Sequence, residues 1–103
     1  MDDGVVLDIA ATLGQLVGLL AASTEDGGLA LDVRAELLEA VAGQLEILRR
    51  WLLDSLTRRG PSDDRSRIVW RLSQVWAQYL EVSRDVEAEL RRRGLREARG
   101  QLS

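Results

Sequence analysis

Carboxylates and guanidinium groups are the main reactive side chains in this sequence, which contains no cysteine, no histidine and no lysine. These absences exclude thiol nucleophiles, imidazole acid–base catalysis, Schiff-base chemistry and the common zinc sites. No serine has a histidine to activate it. Glu36 and Glu39 could form one acidic pair of a magnesium site on a helix, but no second pair follows at the distance such a site needs. We therefore expect a protein that is not an enzyme and that uses neither a metal nor another cofactor.

Arginine supplies all 14 of the positive charges. A guanidinium group pairs with phosphate or carboxylate through two parallel hydrogen bonds, so a cluster of arginines could bind an anion or a nucleic-acid backbone. A GC-rich genome would produce the same preference for arginine codons, and composition alone does not separate the two explanations. The candidate anion or nucleic-acid contacts lie where the second predicted helix turns into the third: Arg58, Arg59, Arg65, Arg67 and Arg71.

Two features of the sequence oppose a nucleic-acid interface at this turn. The formal net charge of the chain is −3, whereas nucleic-acid-binding domains are usually basic. The turn itself holds no aromatic residue that could stack on a base. Nucleic-acid binding is therefore the alternative function, and not the one that the sequence favours.

Three helices must position these side chains, because apolar residues recur every three or four positions without strand-like alternation. We predict helices over about residues 5–22, 30–59 and 62–93. Paired glycines interrupt the first pattern, and a Gly-Pro pair ends the second. Short connections between long helices place neighbours antiparallel. The sequence therefore predicts an all-α, antiparallel three-helix bundle that forms a single domain over residues 1–103.

Residues with capping preferences mark the predicted ends of these helices. Asp3 and Ser62 are predicted N-caps, because their side-chain oxygens can accept the free N–H groups of a first helical turn. Gly60 and Gly94 follow runs that end in arginine, and glycine readily adopts the left-handed conformation that terminates a helix. We therefore expect residues 95–103 to form a frayed tail.

The first helix carries Gly14 and Gly18, and no formal charge lies between residues 9 and 24. Small residues four apart favour dimers in lipid, and in a soluble bundle they favour close packing against a bulky neighbour. The uncharged run is shorter than the ~20 residues of a spanning helix, and the chain starts with acidic rather than basic residues. We expect a buried helix in a cytoplasmic protein without a membrane partner, in which Gly18→Leu would destabilise the fold.

The second and third helices carry more apolar surface than three helices can cover. At ~100° per residue, apolar side chains occupy about twice the arc of the second helix that an ordinary surface helix shows. Contiguous exposed apolar surface usually marks an interface, and tryptophan is enriched at interface centres. The alternative is that the outlying tryptophans lie over arginine stems as surface cover. The residues predicted to form an interface are Val33, Ile47, Trp51, Trp70, Trp76 and Leu80.

This excess of apolar surface predicts self-association across the second and third helices, as a homodimer or a higher helical oligomer. We expect a non-enzymatic protein–protein interaction or oligomerisation module that acts as an adaptor, an accessory subunit or a regulatory subunit. Its expected partners are a second copy of itself and another protein. The alternative is a nucleic-acid-associated regulator that uses the basic turn between the second and third helices.

Overall fold

Three α-helices pack against one another, as the apolar periodicity predicts. The computed structural model describes residues 1–22 and 30–102, with side chains described as far as residue 94. The helices are α1 (Asp3–Ala22), α2 (Leu31–Arg59) and α3 (Asp63–Leu102). α2 and α3 form an antiparallel hairpin, and α1 packs more extensively on α3 than on α2. The all-α three-helix bundle is therefore confirmed.

One apolar stripe on each helix forms the shared core. Within each stripe the buried residues recur mainly at steps of three and four, which keeps them on one helical face. Leu45, Leu48 and Ile68 are among the largest side chains that are almost completely buried. The core residues are Val6, Ala10, Leu13, Val17 and Leu20 of α1, Leu31, Leu38, Val41, Leu45, Leu48 and Leu52 of α2, and Ile68, Leu72, Val75, Val82 and Val86 of α3.

The N-caps of α1 and α3 are formed by short polar side chains. Ser62 caps α3 as predicted, since its Oγ accepts a hydrogen bond from the backbone N–H of Arg65 at 3.2 Å. At the start of α1 the cap is Asp2, whose Oδ1 accepts from the backbone N–H of Val5 at 2.8 Å. The predicted cap, Asp3, is instead the first residue of the helix. Both caps satisfy N–H groups that have no partner within the helix.

The two glycines that were predicted to end helices behave differently. Gly60 ends α2 with a φ of 78°, and the proline after it cannot continue a helix. Gly94 lies inside α3, which continues to Leu102, so the predicted end at Arg93 was too early. One glycine in a helix costs only about 1 kcal/mol relative to alanine, and the residues after Gly94 are mostly good helix formers. Whether residues 95–103 fray stays a prediction.

The two glycines of α1, Gly14 and Gly18, differ from each other in their surroundings. A Cβ atom added at Gly14 would lie 3.2 Å from Cγ2 of Val75, so α1 and α3 approach closely there. A Cβ added at Gly18 would meet no described atom within 4 Å. The step of four residues from Gly14 to Gly18 turns the helix about 40° beyond a full turn, which moves Gly18 away from the contact with α3. Close packing against a bulky neighbour is therefore confirmed at Gly14. The prediction that Gly18→Leu would destabilise the fold was wrong, because Gly18 has no such neighbour among the described residues.

Leucine at these two positions should have opposite effects on stability. Gly14→Leu should lower the free energy of unfolding by about 1–3 kcal/mol, because the added side chain overpacks the contact with Val75. Gly18→Leu should leave it unchanged or raise it by up to about 1 kcal/mol, because leucine has the higher helix propensity. Urea unfolding followed by circular dichroism measures both, and equal losses would contradict this packing.

Candidate functional site

An open groove runs between α2 and α3. α1 packs along one flank of α3, where Gly14 meets Val75, and the groove lies along the other flank. Its wider part has a volume of about 620 Å³. The apolar lining is Leu45, Leu52 and Leu53 of α2 with Val69, Leu72 and Trp76 of α3, and the polar lining is Glu46, Arg49 and Ser73.

A smaller hollow of about 390 Å³ lies further along the same flank, toward the start of α2. Its apolar lining includes Leu38 and Val86 from the core together with Ala35, Tyr79 and Leu90. The two hollows extend from residue 35 to residue 53 of α2, a length of about 27 Å at 1.5 Å per residue. They form one continuous face of the α2–α3 hairpin, which we call the groove face.

Apolar side chains on the groove face are open to water. Leu53 is 51% exposed, Val69 42% and Leu90 43%. Trp76 and Tyr79 are half-buried and stack edge to face, with ring centroids 6.1 Å apart. Each square ångström of apolar surface removed from water contributes roughly 25 cal/mol, so covering this face would be favourable.

Three of the six predicted interface residues lie on or beside the core. Trp76 lines the groove, and Leu80, one turn later on α3, is 39% exposed. A step of four residues keeps the two within about 40° of each other around the helix, so Leu80 extends the same face. Trp51 is half-buried and packs against the core cluster. The structure therefore brings Trp76 and Leu80 together and separates Trp51 from them.

The other three predicted interface residues, Val33, Ile47 and Trp70, lie on the backs of their helices. Val33 and Ile47 of α2 are 39% and 52% exposed, and neither lines the groove. Trp70 of α3 is 59% exposed, and the guanidinium carbon of Arg71 lies 5.7 Å from the centroid of its ring. This cation–π contact agrees with the alternative interpretation of Trp70, in which the tryptophan lies against an arginine side chain on the surface.

The basic turn contains four exposed arginines and one buried arginine. Arg65 is only 8% exposed, and its Nη1 donates to the backbone carbonyl of Gly60 at 2.6 Å. Arg65 therefore caps the end of α2 from inside the fold, which separates it from the other four candidate anion contacts. Among those four, Arg58 pairs with Asp54 at 3.1 Å. The exposed members are Arg58, Arg59, Arg67 and Arg71.

Arg34 has the same role at the other end of the bundle, and the sequence analysis did not identify it. It is 9% exposed, and its Nη2 donates to the carbonyl of Leu20 in the last turn of α1 at 2.9 Å. The carbonyls of a last helical turn have no partner within the helix, so a buried donor satisfies one of them. The sequence feature that could have identified Arg34 is its position within the apolar stripe of α2, three residues after Leu31 and four before Leu38.

α1 is long and apolar enough, by length and composition alone, to cross a membrane. The core helix of a soluble protein passes the same test, and five residues of α1 are buried in the bundle. This finding is weak support for a membrane helix, and the predicted absence of a membrane partner stays a prediction.

Comparison with family models, curated proteins and solved structures finds no match to this chain. The function is therefore inferred from the surface of the chain itself, and the groove face is the feature on which that inference depends.

Proposed function

We propose that this chain is a non-enzymatic helical association module and that the groove face is the surface through which it associates. In the cell such a module would act as an adaptor, an accessory subunit or a regulatory subunit, in the cytoplasm and without a cofactor. The observation that carries the proposal is the apolar groove of about 620 Å³ between α2 and α3, edged by exposed Leu53 and Val69.

The shape of the groove suits a helix. Two neighbouring helices present a furrow into which a third packs at an interaxial distance of about 8–10 Å. α1 occupies one side of the hairpin in this way, and the groove face offers the corresponding place on the other side. A helix of about 18 residues would match its length of about 27 Å. Amphipathic helices bind such grooves through apolar residues spaced three and four apart.

The groove face should be tested against the back of α2 with one matched pair of variants. Leu53 and Ile47 are 51% and 52% exposed on the same helix, and only Leu53 lines the groove. Leu53→Glu should raise the dissociation constant of the oligomer at least tenfold, or about 1.4 kcal/mol, because it places a charge in the apolar contact. Ile47→Glu should change it less than twofold.

Sedimentation equilibrium over a series of protein concentrations gives these constants. Thermal unfolding checks that both variants fold, which is expected because each replaced side chain is half exposed to water. A loss of association in Ile47→Glu with none in Leu53→Glu would contradict the proposal and assign the interface to the back of α2.

A further inference from the structure

The charges on α2 are divided between its two ends. Its first third carries three exposed acids and no exposed cation, since Arg34 is buried. Its second half, residues 46–59, carries four exposed arginines together with the acids Glu46 and Asp54. In the middle, Glu46 accepts from Arg49 at 3.0 Å and from Arg50 at 3.3 Å. Among exposed and half-buried side chains, α2 is thus negative by three charges over residues 31–45 and positive by two over residues 46–59.

We propose that the occupant of the groove face is a second copy of this chain, with the two α2 helices antiparallel across a two-fold axis perpendicular to them. This proposal rests on the proposed function and specifies its partner and orientation. The acidic start of each α2 then lies opposite the basic end of the other, and the symmetry makes that contact twice.

The other face-to-face arrangement has its two-fold axis parallel to the helices. That axis places each α2 opposite the α3 of the other copy, so Glu36 and Glu39 at the acidic start of α2 would meet Glu87, which lines the same end of the groove. Like charges brought together across an interface are unfavourable. The groove-lining residues of α3 opposite the basic half of α2 include no acid. Each end of α3 is neutral overall. The helix has two exposed aspartates and two exposed arginines over residues 63–71, and four acids and four arginines over residues 81–94. α1 packs along the opposite flank of α3, outside this contact.

The groove face is large enough for a specific but weakly bound dimer. It is about 27 Å long and two helix diameters, or about 20 Å, wide. Two such faces would bury about 1,000 Å² in total, which reaches the lower limit of specific interfaces. The exposed Leu53, Val69 and Leu90 would lie inside the contact, and Glu36 and Glu39 would lie at its polar edge.

A distance between labels on the two copies tests this orientation. The chain contains no cysteine, so a single introduced cysteine can carry a nitroxide label for pulsed electron paramagnetic resonance. Thr57 is exposed near the end of α2, 13 residues beyond the midpoint of the groove face. In the antiparallel dimer, labels on Thr57→Cys should lie about 40 Å apart, at 1.5 Å per residue.

Labels on Gln44→Cys serve as the control, because Gln44 is exposed at the midpoint of the groove face and points about 180° away from Leu53 around α2. Labels there would lie on the outer sides of the two α2 helices, about 20–30 Å apart in either arrangement. A Thr57→Cys distance of about 20 Å or less would overturn the antiparallel orientation and leave association through the groove face intact. A dimeric mass with a Gln44→Cys distance well below about 20 Å would assign the contact to the back of α2. A monomeric mass would overturn self-association itself.

Discussion

Leu45→Ala should lower the free energy of unfolding by about 2–5 kcal/mol, the largest effect that we expect from a single substitution. Leu45 lies at the centre of the α2 stripe and is 0% exposed. Truncation removes the transfer free energy of the buried side chain and leaves a cavity that the rigid neighbouring helices fill only in part. Urea unfolding, followed by circular dichroism at a fixed protein concentration, measures the loss.

The matched control for this prediction is Leu19→Ala. Leu19 is the same residue type on α1, and its side chain is 68% exposed, so the expected change is within about 0.5 kcal/mol of zero. Similar losses at both positions would mean that the core does not lie where the three stripes meet.

Arg65→Ala should lower the free energy of unfolding by about 1–3 kcal/mol. The substitution leaves the carbonyl of Gly60 without the guanidinium donor that lies 2.6 Å away, and an unsatisfied acceptor that is partly buried is costly. It also removes the packing of the arginine stem against the end of α2. Thermal and urea unfolding both report this change.

Arg67→Ala is the control, because Arg67 lies two residues further along the same helix and is exposed. We expect its unfolding free energy to stay within about 0.5 kcal/mol of the wild type. Anion binding is the second readout. If Arg65→Ala left stability unchanged and abolished phosphate binding, Arg65 would be a ligand contact and its role as a helix cap would be excluded.

Most of the fold could be predicted from the sequence because local and tertiary signals agree. Apolar residues recur every three or four positions on α1, α2 and α3. This spacing predicts both that the segments are helices and which residues face the core. The end of α3 could not be predicted in the same way. Gly60 and Gly94 both follow arginines, and only the residues after them, a proline in one case and helix formers in the other, decide whether the helix stops.

The groove face was only partly predictable. A helical wheel gives the angle of each side chain around its own axis, but it does not give the side on which a third helix packs. Trp51 and Leu53 are both apolar and lie about 160° apart on α2. The structure packs Trp51 against the core and leaves Leu53 half exposed in the groove. The sequence thus indicated an excess of apolar surface without locating all of it.

The two buried arginines show a second limit of sequence reasoning. Arg34 and Arg65 occupy positions in apolar stripes, where a charge is costly unless it finds hydrogen-bond partners. Their partners are carbonyls at the ends of the preceding helices, Leu20 and Gly60. Those contacts depend on how the helices are placed in space, so the apolar stripes alone did not give the role of either arginine.

The mass of the unmodified chain in solution tests most directly whether the chain associates with itself, as the exposed groove face predicts. One chain has a mass of 11.5 kDa, and sedimentation equilibrium at tens of micromolar should give about twice that value. A mass that stays at 11.5 kDa over the whole concentration range would show that the exposed apolar groove is stable in water without a second copy, which would contradict the account.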